Sequence, residues 1–167
     1  MSETEVARES GQGLFLTPEG FATLHAELDN LTMVKRPEIA ERIRESLQHG
    51  EFSDDNSELD EVKFEQAFVE NRIGELKAIF SGASVMDVTQ IPTDHVGMGS
   101  LVTINDPEFG DDFVVRLVAS VEANPDKDLL SSESPMGLAM FGKVAGDTFV
   151  VDAPGGVKKY KINSISR

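Results

Sequence analysis

The sequence predicts an α+β protein: an N-terminal antiparallel α-helical coiled-coil hairpin, then a compact antiparallel β domain carrying one short helix. Three observations predict it. Apolar residues recur at steps of three and four from Phe21 to Phe80, the period of a helical seam. A polar, acidic stretch, His49-Gly50-Glu51-Phe52-Ser53-Asp54-Asp55-Asn56-Ser57-Glu58, interrupts that seam midway. From Val96 onward the period changes to strand alternation, punctuated by turn signals such as Asn105-Asp106-Pro107 and Ala153-Pro154-Gly155-Gly156.

Residues 1–13 lack periodicity and read as a flexible tail. Residues 14–88 read as the hairpin and 89–167 as the globular domain. Thr17-Pro18-Glu19 opens the first helix: a hydroxyl at the N-cap, proline at the first helical position, and an acid facing the positive dipole end. Phe21, Leu24, Leu28 and Leu31 begin the seam. Pro37 lacks a backbone donor, so it predicts a bend or a restart of the helix there. Ile39, Ile43 and Leu47 carry the stripe onward, and Gly50 suits the position just past the helix end.

Asp54 or Asp55 suits the N-cap of the return helix, and Asp55 with Glu58 has capping-box spacing. The return seam is Leu59, Val62, Gln66, Val69, Ile73, Leu76 and Phe80, with Gln66 as a polar member that can set register. Ser81-Gly82 ends it. Arms on the order of 30 residues give a rod of about 40–48 Å, too long to bury its tip against its own chain. The strands are expected at 101–104, 113–118, 148–151 and 157–165, with a short helix from Ser134-Pro135-Met136 to Phe141.

Composition narrows the function. Thirty acids against fifteen bases give a net charge of −15, which disfavours autonomous binding to a phosphate backbone. Residues 1–88 carry 19 acids and 8 bases (−11), and residues 89–167 carry 11 and 7 (−4). A basic protein surface or an electropositive cavity is the fitting partner. The chain contains no Cys, which removes disulfides, thiolate metal sites and thiol nucleophiles. No apolar run approaches the roughly 18 residues of a membrane span, and the acidic start Met1-Ser2-Glu3-Thr4-Glu5 is unlike a secretory signal. A soluble, cytoplasmic protein without membrane contact is expected.

No self-sufficient active site is visible. No glycine-rich phosphate loop occurs in a strand–helix setting, no nucleophile elbow is present, and His25, His49 and His95 lack ligand spacing. The concentrated feature is the tip, where Glu51, Asp54, Asp55 and Glu58 stand with no Lys or Arg among them. Such a cluster can simply cap a helix and be solvated. It also suits a hard divalent cation, which takes oxygen ligands. With so few carboxylates and no cage, another surface would have to complete the site.

From Phe15 onward the sequence resembles the GreA/GreB family of bacterial transcript cleavage factors. The resemblance rests on Leu16-Thr17-Pro18-Glu19-Gly20, Val34-Lys35-Arg36-Pro37-Glu38-Ile39, His49-Gly50-Glu51-Phe52 and Asn71-Arg72-Ile73. Ser134-Pro135-Met136-Gly137-Leu138 to Phe141-Gly142-Lys143 and Ala153-Pro154-Gly155-Gly156 complete it in the same order. It implies that the β domain is FKBP-like and docks on RNA polymerase at the rim of its secondary channel, with Glu133, Ser134 and Pro135 on the contact loop. It further implies that the hairpin tip reaches the polymerase active site. There Glu51 and either Asp54 or Asp55 would help hold an Mg²⁺ shared with polymerase and position the water that cuts backtracked RNA.

On this reading the protein is not itself an enzyme but an accessory factor that stimulates the hydrolytic activity of RNA polymerase, with no catalytic residues of its own, and is expected as a monomer that meets the nascent RNA 3′ end only indirectly. The tip departs from the family's usual Asp-Leu-Lys-Glu-Asn-Ala-Glu-Tyr: it has one extra residue, no Lys, and the acid types exchanged. Some family members with altered tips inhibit polymerase instead of rescuing it, so inhibition stands beside cleavage. An acidic chaperone or adaptor, or a peptidyl-prolyl isomerase, are the readings outside transcription. Along the rod, the bases that could track RNA are Arg42, Arg44 and Lys63.

Overall fold

The computed structural model describes residues 13–50 and 57–167, the side chains of 49 and 50 excepted. The chain divides into two compact units, one built on Glu19–Ala83 and the other on Leu14–Pro18 with Ser84–Arg167. Leu14–Pro18, grouped with the hairpin from sequence, therefore lies in the second unit.

The first unit is helical. Helix α1 spans Pro18–Asn30 and helix α2 spans Arg36–Gly50, joined through a five-residue π turn at Leu31–Lys35. Helix α3, Ser57–Gly82, is the return arm; its 26 residues extend about 39 Å at 1.5 Å per residue. The arms run antiparallel, with Arg36 bonded to Glu70 and Arg42 to Glu65, so numbers rise on one arm as they fall on the other. Ile39, Val62, Val69 and Ile73 form the buried seam, with Leu28, Leu31 and Ile43 packed against it. Burying such side chains stabilises the pair by about 1.5–3 kcal/mol each.

Four expectations for the arms are corrected. The irregularity attributed to Pro37 lies one turn earlier, and the helix neither stops nor restarts. Asn30 and Arg36 both keep helical dihedrals, and the Arg36 N–H bonds back to the Leu31 carbonyl. That i−5 bond widens the turn, which is how a helix accommodates a missing donor and a bulky ring just ahead. Leu47 is half exposed and Ser46 is buried in its place, because a step of three from Ile43 is the one that faces the other arm. Gln66 is exposed, and its layer is bridged by the neighbouring Glu65 with Arg42. Gly50 also lies inside α2 instead of beyond it.

The second unit opens with strand β1, Leu14–Leu16, paired in a two-stranded sheet with β2, Ala83–Val85. A five-stranded sheet follows: β3 Leu101–Asp106, β4 Asp111–Val118, β5 Leu129–Ser131, β6 Thr148–Ala153 and β7 Gly156–Ser166. Its order is β5-β4-β3-β7-β6. All neighbours are antiparallel except β4 and β5, a parallel pair made possible because the chain crosses through two short 3-10 turns at Ser120–Glu122 and Pro125–Lys127. The β6–β7 hairpin turns at Gly156, whose φ of 119° is open to glycine but costly for other residues.

Alternation along the strands builds one apolar face. Val102, Ile104, Val115, Leu117, Phe149 and Ile162 point into it, joined by Val96 and by Met140 from the short helix α4, Pro135–Met140. Tyr160 is stacked on Phe149 and edge-on to Phe113 at the rim of this core. The architecture is the expected α+β arrangement of a helical hairpin and an antiparallel-rich β domain with one short helix. Among the described residues no helix is long and apolar enough to cross a membrane.

Candidate functional site

Two places carry the residues singled out from sequence. The first is the connection between the arms. Glu51, Asp54 and Asp55, together with the expected capping role of the two aspartates, lie outside the described residues. What the structure describes is the support on either side: α2 runs up to Gly50 and α3 leaves from Ser57. Glu58 and Asp60 then stand in the first turn of α3, where carboxylates are favoured by the positive end of the helix dipole. Among the described residues, no group of three or more His, Asp or Glu side chains could hold a metal ion.

The arms leading there are electrically self-paired. Arg36 makes a two-pronged contact with Glu70 at 2.7 and 2.8 Å, and Arg72 a similar one with Glu27 at 2.6 and 3.0 Å. Arg72 also reaches Glu75 at 3.1 Å, and these carboxylates raise its pKa further above the ordinary arginine value. The Arg36 hydrogen bond holds the Glu70 carboxyl below its usual range. Arg42 and Arg44, read as bases that could meet RNA, are bonded to Glu65 and Glu41. His25 sits 3.2 Å from Asp29 and packs its ring against Phe21 and Phe80.

The second place is the loop before α4. Ser134 caps that helix as its residue types predict: its hydroxyl accepts from the Gly137 N–H at 3.0 Å, and Pro135 takes the first helical position. The same hydroxyl donates to the Ser131 carbonyl at 2.6 Å. Glu133 and Pro135 are exposed. The Glu133 N–H donates to the Ser131 hydroxyl at 3.1 Å, and its carboxylate accepts from the Ser120 hydroxyl, which lies 2.8 Å from that of Ser131. The Glu133 carboxylate is thus held by Ser120 and its backbone by Ser131.

Sequence reasoning missed Ser120, Ser131 and Gly137. Nothing in the sequence marks Ser120, which comes from the turn after β4. Gly137 lies in a motif that carries the resemblance, but its physical reason is legible only in three dimensions: a Cβ there would stand 2.1 Å from the Ser131 carbonyl oxygen. Beside the loop lies a cavity of about 290 Å³ lined mainly by Val115, Ala123, Pro125, Leu129, Leu130 and Ser134. Its surface is mainly apolar and carries no aromatic side chains, with Asp128 and Ser131 completing the lining.

Comparison with known proteins supplies the family. The model described as "Transcription elongation factor, N-terminal" matches residues 14–85, and "Transcription elongation factor, GreA/GreB, C-term" matches residues 91–167. The chain belongs to the GreA/GreB family of transcription elongation factors. Transcription elongation factor GreA of Clostridium botulinum is 44% identical over 152 residues, 91% of this chain and 94% of the relative. GreA of Clostridium kluyveri is 43% identical over 152 residues, 91% and 95%.

Solved structures similar to this Gre-family chain include GreA factor homolog 1 of Thermus thermophilus, 30% identical, with 93% of this chain and 99% of that chain covered and a TM-score of 0.42. Another is the elongation factor GreA/GreB of Nitrosomonas europaea, 27% identical, with coverage of 57% and 79% and a TM-score of 0.42.

Proposed function

We propose that this Gre-family chain is an RNA polymerase secondary-channel factor that stimulates cleavage of backtracked nascent RNA. The observation that carries the reading is family membership across both domains combined with the position of the acids. In sequence, Glu51, Asp54 and Asp55 fall between Gly50, the last residue of α2, and Ser57, the first of α3. The β unit presents Glu133, Ser134 and Pro135 on a rigid loop beside an apolar cavity, a surface suited to docking on a protein with a basic and an aliphatic group. The factor binds one to one, and polymerase supplies the catalytic centre.

The donor set fits Mg²⁺, since carboxylate oxygens are the ligands a hard cation takes. Glu51 and one of Asp54 and Asp55 would hold it jointly with polymerase. When bound, such an ion supplies charge stabilisation for phosphodiester hydrolysis. The remaining aspartate is available to satisfy a free N–H at the start of α3. Carboxylates at the tip can also accept a hydrogen bond from water and so orient it. Self-pairing of Arg36, Arg42, Arg44 and Arg72 leaves Lys63 as the one base of the three read as an RNA track that has no ion pair among the described residues, which favours delivery of the tip over gripping of RNA. The cavity's lack of aromatic side chains counts against a prolyl isomerase.

The test is retention of the full chain by bacterial core RNA polymerase at moderate salt. Retention that is weakened by Glu133→Lys and unaffected by Glu51→Gln is expected. Absence of binding would sink the proposal and leave an acidic adaptor as the better reading.

A further inference from the structure

The outer face of β6 and β7 is built unlike the rest of this acidic chain. Register places Lys159 beside Val150 and Lys161 beside Thr148, with Val157 opposite Asp152 at the end of the same face. Val150 and Val157 are 54% and 68% exposed. Lys159 and Lys161 project from alternate positions of one strand, about 6.8 Å apart. Neither makes an ion pair among the described residues, although the chain has twice as many acids as bases. Lys158 points to the other face, where its ammonium lies 5.7 Å from the Phe109 ring centre.

The nearby acids do not neutralise the pair. Asp112, on the same face beyond Asn105, is occupied by the side-chain amides of Asn105 and Asn163 at 2.7 and 3.2 Å. Asp152 lies diagonal to Lys159 without closing a contact. By contrast, the hairpin arginines Arg36, Arg42, Arg44 and Arg72 are all paired. Two free ammonium groups flanked by two exposed valines form a cationic, partly apolar strip.

We propose that this strip, Lys159 and Lys161 with Val150 and Val157, is a second docking surface that takes an acidic, partly aliphatic surface of RNA polymerase. The inference rests on the polymerase reading above and extends it to a face that the Glu133 loop does not include. Charge complementarity selects an acidic partner. A polynucleotide fits less well, because tracking a line of phosphates needs more clustered bases than two lysines and the flanking valines offer a phosphate no contact. In the sheet, Glu133 follows β5 at one edge while β6 forms the other. The two lysines stand on β7, three strand spacings or about 14 Å from β5, so the two contacts are independent and of opposite sign.

The test is the affinity of the full chain for core RNA polymerase across a salt series. Lys159→Glu with Lys161→Glu should weaken binding about tenfold and flatten its salt dependence, with the melting temperature unchanged. Lys159→Arg with Lys161→Arg should retain wild-type affinity, and Glu133→Lys should multiply with the charge reversal as an independent site does. Wild-type binding with no loss in the charge-reversed variant overturns this inference and leaves the polymerase reading standing. Failure of the wild type to bind overturns both. Competition by a single-stranded RNA oligomer for the wild type, lost in the charge-reversed variant, overturns it in favour of a nucleic-acid face.

Discussion

Glu122, buried in the β unit, accepts hydrogen bonds from both the backbone N–H and the hydroxyl of Thr17, 105 residues earlier in the chain. The N–H contact is 3.0 Å, and Thr17 immediately precedes the first residue of α1. Beside it, β1 is tied down by the Met86 N–H bonding to the Leu16 carbonyl at 2.8 Å. Removing the carboxylate strands a buried donor, so Glu122→Ala should lower unfolding free energy by about 1–3 kcal/mol. Glu122→Gln keeps one acceptor oxygen and should cost less, about 1 kcal/mol. Urea titration of both variants checks the order.

Gly137→Ala should damage the docking loop from within. The added methyl would meet the Ser131 carbonyl at 2.1 Å, and that carbonyl also holds the Ser134 hydroxyl and the Ser134 N–H. Overpacking of this kind costs about 1–3 kcal/mol. Thermal melting should show the loss, and polymerase binding should fall along with it. Ser134→Ala, which removes the cap and the hydroxyl's bond to the Ser131 carbonyl, should cost about 1–2 kcal/mol.

Glu70 should report the arm-to-arm contact through its titration. Its folded-state pKa is depressed by the Arg36 hydrogen bond, so the contribution of the pair is complete above the ordinary glutamate range and disappears as pH falls through the depressed value. NMR titration should find the Glu70 carboxyl below the usual range in the wild type and back within it in Arg36→Ala.

Arg72 should not tolerate the conservative change to lysine. Its planar fork meets both oxygens of Glu27 and also touches Glu75, a geometry a single ammonium cannot reproduce. The pair is partly exposed, so Arg72→Lys should cost only about 0.5–1 kcal/mol, measured as a shift in the urea midpoint of the hairpin's helical signal.

The hairpin was legible because a seam of three and four survives averaging over single residues. It misleads at two seam positions, for opposite reasons. Leu47 looked like the seam residue because it is apolar, whereas the periodic position is Ser46. Gln66 looked buried because it keeps the step, whereas the Arg42–Glu65 pair bridges that layer. The strands of the β3–β4 and β6–β7 hairpins were readable from alternation and turn residues. Strands β1, β2 and β5, three residues each, are too short to show a period and owe their pairing to tertiary contacts. Of the docking loop, Ser134 and Pro135 carried a local capping signal. Ser120, Ser131 and Gly137 act through space, and no spacing in the sequence marks them.

Transcript cleavage on a stalled, backtracked elongation complex tests the central claim most directly. The wild type should accelerate Mg²⁺-dependent shortening of the RNA 3′ end. The combined variant Glu51→Gln, Asp54→Asn and Asp55→Asn should bind polymerase as the wild type does and leave cleavage at the level of polymerase alone. Equal acceleration by that variant would contradict the account, because the tip would then be a spacer and the carboxylates idle.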